Sequence, residues 1–455
     1  MTDDAEPVDL RIENGSLLTQ SGRLDGAYGV AIDGECIVAV GQTDTLPASR
    51  QTIDAAGRII APGVVDEHVH DRSLGQSHKE DWETLTRSAA AGGVTTVLGH
   101  GNTDPYIERP ADIKRKLSLA DRDALVDFGC FAWVTDENYD RLKPLEAAGA
   151  IGFQASLAER PLGSGKLITA MKNCARTNCR FGLHTEDGDI IDSQWADNRT
   201  SGANQPIDHC RRRPVVAETV GTRTAVELAR ETNCPLHVFL VSAGSTLDSI
   251  VRAKQSGLDI TAETCPHYLR FTDAEMTNQG NVAVVSPPLR EATEREQLWE
   301  QGIEAGGIDC IGTDHAPHTD AEKRVEGQFE SIRGVSHGFV GLETAVPVLL
   351  TFAAAGRLSY SQWRRLQSEQ PARVWDLYPM KGSLMIGTDA DITIVNPDRK
   401  WRFDRSSLRS KGTVTPFDGE QFRGAVTTTI VRGQIVYRDG EVVGDPGWGT
   451  RVERV

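Results

Sequence analysis

The sequence predicts an α/β protein: a (β/α)8 TIM barrel with a small β-sandwich formed by both chain ends. Strand-like and helix-like segments alternate through the middle about eight times, which implies a parallel sheet closed into a barrel. Both ends are instead strand-rich and broken by glycine turns. The 455 residues exceed one small core but suit a barrel of roughly 250–350 residues beside a smaller unit. The barrel is placed at 57–382, and the sandwich at 1–56 plus 383–455.

The elements follow in order. Val8, Leu10 and Ile12 alternate, as do Val30 and Ile32, with Gly15, Gly22, Gly26, Gly34 and Gly41 at turns. The apolar run Ile59–Val65, interrupted by A-P-G, leads into Asp66, His68 and His70 and reads as the first barrel strand. Trp82, Leu85 and Ala89 at helical spacing predict a helix over 80–91, and G-G-V-T-T-V-L-G a buried strand. A helix near 110–122 precedes the strand V-D-F-G-C-F-A-W-V. Ala147–Ala155 reads as the next strand, followed by a helix around 165–177 and the strand Arg180–His184. The polar stretch 187–214, carrying R-R-R-P, reads as a long loop over the pocket. A helix over 215–231 leads to Pro235–Val241, and Ile260–Glu263 and Ile308–Ile311 complete the barrel. A-D-I-T-I-V near 390 and T-T-I-V-R-G-Q-I-V-Y from 428 return to the terminal unit.

Composition narrows the function. The net charge of −16 argues against nucleic acid or an anionic membrane as partner, since both favour basic patches. It leaves room for an anionic small molecule in a locally positive pocket. Hydrophobic residues at 39% and charged residues at 25% are those of an ordinary globular enzyme. No apolar run approaches the roughly 18 residues of a membrane span. The start, M-T-D-D-A-E-P, is acidic with no apolar signal region. Eight scattered cysteines without C-x-x-C spacing read as reduced thiols in a cytoplasmic protein.

Four motifs fall where barrel strands end. They are H-V-H at 68–70 followed by Asp71 and Arg72, G-L-H-T-E-D with His184, A-E-T-C-P-H-Y-L with His267, and C-I-G-T-D-H-A-P-H with Asp314, His315 and His318. Alternate side chains of a strand share a face, so His68 and His70 can grip one metal ion. The plain alternative is a buried strand with two incidental histidines.

These motifs, in this order, resemble the amidohydrolase superfamily in its dihydroorotase, allantoinase and hydantoinase branch. A-P-G-V-V-D-E-H-V-H, G-Q-S-H-K-E-D-W-E-T, A-A-A-G-G-V-T-T-V, the G-N-T-D-P turn, E-T-C-P-H-Y-L, S-P-P-L-R, G-T-D-H-A-P-H-T and G-T-D-A-D-I-T-I-V carry the resemblance over nearly the whole chain. It implies His68, His70, His184 and Asp314 as metal ligands, with Asp314 also the general base. His237, His267 and His315 read as structural or supporting histidines.

Two departures strike one metal position. Where binuclear members carry a carboxylated lysine, this chain has Gln154, and where they carry a sixth-strand histidine it has Leu240. Three imidazoles and one carboxylate suffice for one divalent ion, expected to be zinc, whereas two ions would face a single anionic ligand. His100 stands in a turn where the family reads D-M-P-N-T, and is a candidate for substrate or metal contact. By resemblance to dihydroorotases, Arg72, Asn102 and His318 match a carboxylate grip, and an arginine fork suits that anion. Ser286 replaces an asparagine that contacts a pyrimidine ring, and the backbone of Gly338 and Phe339 is a further candidate contact. The expectation is a hydrolase of a carboxylate-bearing cyclic amide, imide or ureide, working as a homo-dimer or homo-tetramer. The alternatives are a non-catalytic paralogue with an assembly role and a mononuclear deaminase using Glu186 as proton shuttle.

Overall fold

The computed structural model describes residues 6–201 and 204–455. The first five residues of the acidic N-terminal stretch, and Gly202 and Ala203 of the 187–214 stretch, lie outside the described residues.

The strands in chain order are β1 (Val8–Thr19), β2 (Gly22–Asp33), β3 (Cys36–Gln42), β4 (Ser49–Asp54), β5 (Ile59–Pro62), β6 (Val64–Val69), β7 (Val94–Gly99), β8 (Asp127–Trp133) and β9 (Gly152–Ser156). They continue with β10 (Phe181–His184), β11 (Leu236–Phe239), β12 (Ile260–Thr264), β13 (Cys310–Ile311), β14 (Ile392–Arg402), β15 (Gln421–Val431), β16 (Gln434–Arg438) and β17 (Glu441–Val442). Strands β6 to β13 are hydrogen-bonded in sequence order into one eight-stranded sheet. The His70 amide donates to the His315 carbonyl at 2.9 Å, joining the first strand to the segment after the last. That bond brings the motif after β13 against the motif after β6.

The remaining strands come from both chain ends. They form a nine-stranded sheet, β17-β16-β15-β14-β5-β1-β2-β3, with β4 paired to β1. Ile12, Ile32 and Ile37 from one end and Ile392, Ile394 and Ile430 from the other share one apolar core. Here the expected boundary at residue 57 is corrected. The run Ile59–Val65 is two strands: β5 pairs with β1 and β14, and the barrel begins at Val64. Gly63 is the passage between them. A Cβ there would lie 2.1 Å from Thr95 Oγ1, so only glycine lets the chain cross against β7.

Local chemistry explains the other elements. Asp81 accepts from the Thr84 amide at 3.0 Å and caps the helix Trp82–Ala91, whose Trp82, Leu85 and Ala89 are buried. The expected strand over 147–155 starts later, at Gly152, because the helix Lys143–Ala147 ends there and Gly149 turns the chain at φ 105°. The expected loop over 187–214 contains the helices Gly188–Ser201 and Asp208–Arg212. Its few apolar residues hide the helical period, while Asp187 accepts from the Ile190 amide and starts the first helix. Among the described residues no helix is long and apolar enough to cross a membrane, and all eight cysteines are free thiols.

A buried ion cluster joins the two sheets. Lys381 contacts Asp127 of β8, Asp391 at 2.8 Å and Asp389 at 2.9 Å, and Arg432 reaches Asp127 at 3.1 Å. Burial alone would lower the Lys381 pKa, but the surrounding carboxylates outweigh it and raise it. Replacing Lys381 with Met leaves buried carboxylates under-compensated and is expected to cost about 3–5 kcal/mol. Urea denaturation checks this; a loss under about 1 kcal/mol contradicts it.

Candidate active site

The site is built where strands β6, β7, β9, β10 and the segment after β13 end. Asp66 accepts from the amides of His68 at 3.2 Å and Thr313 at 3.1 Å, which ties the first motif to the last. Asp314 follows at φ 48°, in the left-handed region. Its Oδ1 lies 2.9 Å from His70 Nε2 and 3.6 Å from His68 Nε2.

The outer bonds of both histidines set their tautomers. His70 Nδ1 meets Asn102 Oδ1 at 2.7 Å, and His68 Nδ1 meets Glu263 Oε1. Both partners accept, since Glu263 Oε1 also takes the Leu240 amide at 3.3 Å. Each ring therefore spends its N–H outward and turns a bare Nε2 toward Asp314. Burial keeps the rings neutral: His68 falls to about 4 and His70 well below the ordinary value. Burial also raises Asp314, against the pull of His68 and His267. Two electron-rich atoms 2.9 Å apart need a proton or a cation between them. The donor set, two imidazoles and a carboxylate in a buried pocket, fits a divalent metal ion.

His100 packs directly against the His68–His70 pair. His184 lines the same cavity, but its Nε2 donates to Glu186 at 2.8 Å. His100 is the third member of a tight group with His68 and His70, each offering a nitrogen within 4.8 Å of the others. Glu186 is fully buried. Burial would raise its carboxyl, but Arg213 and His184 outweigh that and hold it well below the usual range. A carboxylate locked to Arg213 does not shuttle protons, which counts against the deaminase alternative.

Gln154 and Leu240 both line the pocket. Gln154 accepts the Gly101 amide at 2.6 Å and faces His100 Nδ1 at 3.0 Å. Below them His237, fully buried, bonds Thr261 at 2.8 Å and lies 3.7 Å from both Glu67 and Glu263. Burial raises both carboxyls, and Glu263 raises Glu67 further. His315 sits between Glu80 at 3.2 Å and the Gly341 amide at 3.2 Å. His267 packs against Tyr268 and Phe339.

The cavity, about 350 Å³, includes Arg72, Asn102 and Ser286. Arg72 is 7% exposed, and among the described residues no carboxylate pairs with it. Asp71 pairs directly with Lys116, and Glu67 takes the Trp375 indole N–H at 2.7 Å. The expected grip is corrected in two places. His318 does not line the cavity: it donates to the His337 carbonyl at 3.0 Å and accepts from Lys79 at 3.2 Å. Asn102 stays at the cavity, its carbonyl oxygen accepting from His70 and its NH2 left for an anion. The Gly338 amide goes to Val284 at 3.0 Å, and the Phe339 carbonyl takes the Ala316 amide at 3.0 Å. In their place His337, bonded to Ser286 Oγ at 2.8 Å, lines the wall with Trp133, Glu159 and Arg213. Of these four only Arg213, in the R-R-R-P stretch, carries a sequence signal.

The comparisons decide the family. Residues 59–436 match the amidohydrolase family model. The chain belongs to the amidohydrolase family. This amidohydrolase is 32% identical over 447 residues to an allantoinase of Deinococcus radiodurans, covering 96% of this chain and 97% of that protein. It is 32% identical over 438 residues to a dihydroorotase of Geobacter sp. (strain M21), covering 95% of this chain and all of that protein. Among solved structures, an L-hydantoinase (dihydropyrimidinase) from Arthrobacter aurescens superposes with a TM-score of 0.94 at 30% identity, covering 98% of this chain and 100% of that one. The family is metal-dependent, in keeping with the amidohydrolase's clustered imidazoles and carboxylate.

Proposed function

We propose that this amidohydrolase opens a cyclic amide, imide or ureide ring that bears a carboxylate, using one divalent metal ion, zinc by the character of its ligands. The observation that supports it most is the 2.9 Å contact between His70 Nε2 and Asp314 Oδ1, the ring being turned inward by its outer bond to Asn102. His68, His70 and Asp314 would hold the ion, and His184 would add Nδ1, the nitrogen that its bond to Glu186 leaves bare. Such an ion supplies Lewis acidity and a water of lowered pKa. Asp314 takes a proton from the attacking water as its oxygen bonds to the ring carbonyl carbon. It returns that proton to the nitrogen as the C–N bond breaks, so one water is consumed and the opened ring carries a new N–H and a carboxylic acid, whose proton passes to solvent. Arg72, buried and without an anionic partner, is the counter-charge for the substrate carboxylate.

Incubating the zinc-loaded enzyme with dihydroorotate, hydantoins, allantoin and dihydrouracil tests this reading. Ring opening without ammonia release supports it, and ammonia release or silence on every ring counts against it. The His68 partner provides a second check. Replacing Glu263 with Met is expected to weaken metal binding about 10- to 100-fold, since the outer acceptor orients the ligand. Competition against a chelator measures it, and unchanged affinity contradicts the assignment.

A further inference from the structure

His100 is a buried imidazole at the cavity wall that the hydrolytic roles above leave unused. It is 2% exposed, stacked on His68 with ring centroids 3.7 Å apart, and held edge-on by Phe131 at 5.0 Å. Its Nε2 has no hydrogen-bond partner, yet it lines the cavity. Its distance to the other two histidines nominates it as a third metal ligand. Its hydrogen bonds say otherwise.

The deciding residue is Gln154. Its Oε1 accepts the Gly101 amide at 2.6 Å, and a backbone N–H can only donate, so the amide orientation is set. The other end of the amide, the NH2, must therefore point at His100 Nδ1, 3.0 Å away. Nδ1 is then an acceptor, and a neutral imidazole carries its one proton on Nε2. A protonated Nε2 has no lone pair for a metal. It is a buried hydrogen-bond donor without a partner, on a ring that lines the pocket.

We infer that His100 Nε2–H, oriented by Gln154, is the electrophile that hydrogen-bonds the substrate's carbonyl oxygen and takes over the polarising role of a second metal ion. This deepens the ring-hydrolase reading and rests on it. As water adds to the carbonyl carbon, the C=O π pair moves onto oxygen, and the His100 N–H donates to that growing negative charge without giving up its proton. A preorganised donor in a buried site is worth roughly 10²- to 10³-fold in rate. The ring cannot swing away, because His68, Phe131 and Gln154 fix it. Gln154, where the resemblance expects a metal-bridging lysine, acts here as a positioning residue.

The test uses Gln154→Glu, which keeps the acceptor for Gly101 but turns the donor facing His100 into a second acceptor. His100 must then carry its proton on Nδ1 and expose a bare Nε2. In zinc-loaded enzyme with 15N-labelled histidine, long-range proton–nitrogen correlation locates the His100 proton, the signal being assigned by its loss in His100→Asn. The expected result is Nε2–H in the wild type and Nδ1–H in Gln154→Glu. With it, kcat falls about 100-fold on whichever ring is opened, while zinc is retained at least as tightly. A wild-type Nδ1–H, or a reversed tautomer at an unchanged rate, overturns the donor role alone. If no ring on the panel opens, the hydrolase reading fails and the donor role fails with it.

Discussion

Asp314→Asn lowers kcat by about 10³-fold with the fold intact. The Asp314 carboxylate is the proton acceptor of the reaction, and general base catalysis contributes typically 10²- to 10⁴-fold. An amide cannot take that proton. It also offers no charge to a cation, and its NH2 would fill the bare Nε2 of His70, so metal retention falls as well. Asparagine is the right probe because Asp314 sits at φ 48°, a conformation that Asn tolerates and Ala resists. An unchanged melting temperature separates loss of chemistry from loss of fold. A variant that turns over at the wild-type rate removes Asp314 from the mechanism.

Arg72→Met raises KM for a carboxylate-bearing ring about 100-fold and leaves KM for a neutral ring nearly unchanged. A charge-assisted pair is worth about 2–3 kcal/mol, and each 1.4 kcal/mol is about a factor of ten. The guanidinium is buried with its Nε unsatisfied, at φ 54°. Met and Arg bear the same backbone strain there, so the substitution isolates the charge. Asp314, Asp71 and Glu159 stabilise the guanidinium only through space, with no direct ion pair, so its removal is expected to leave the melting temperature nearly unchanged. Steady-state kinetics on a charged and a neutral ring, with a melting curve, decide it. Equal losses on both rings show a packing role instead.

Much of this architecture is legible in the chain because strong periodic signals coincide with chemistry. The alternation of apolar strands and amphipathic helices places the barrel, and the H-V-H spacing puts two imidazoles at the end of β6. The bond between His70 and His315 then sets the D-H motif after β13 beside them. Three things are hidden for physical reasons. The partition at Gly63 is invisible because the residues on either side of it, Ile59–Pro62 and Val64–Val65, are buried and apolar, so one run serves two sheets. The withdrawal of His318 depends on Lys79, 239 residues away, which no local pattern encodes. The Gln154–His100 bond joins residues 54 apart. Read singly, Gln154 is only a lost lysine and His100 only an odd histidine. Their meaning lies in the direction of one amide, which the Gly101 N–H decides.

The most direct test of the account is anomalous diffraction from crystals of the zinc-loaded enzyme, with metal content measured on the same protein. The account predicts one tightly bound ion per chain, with its anomalous peak touching His68 Nε2, His70 Nε2 and Asp314, and with His100 Nε2 outside coordination distance. Two ions per chain, none, or a peak centred on His100 would contradict it.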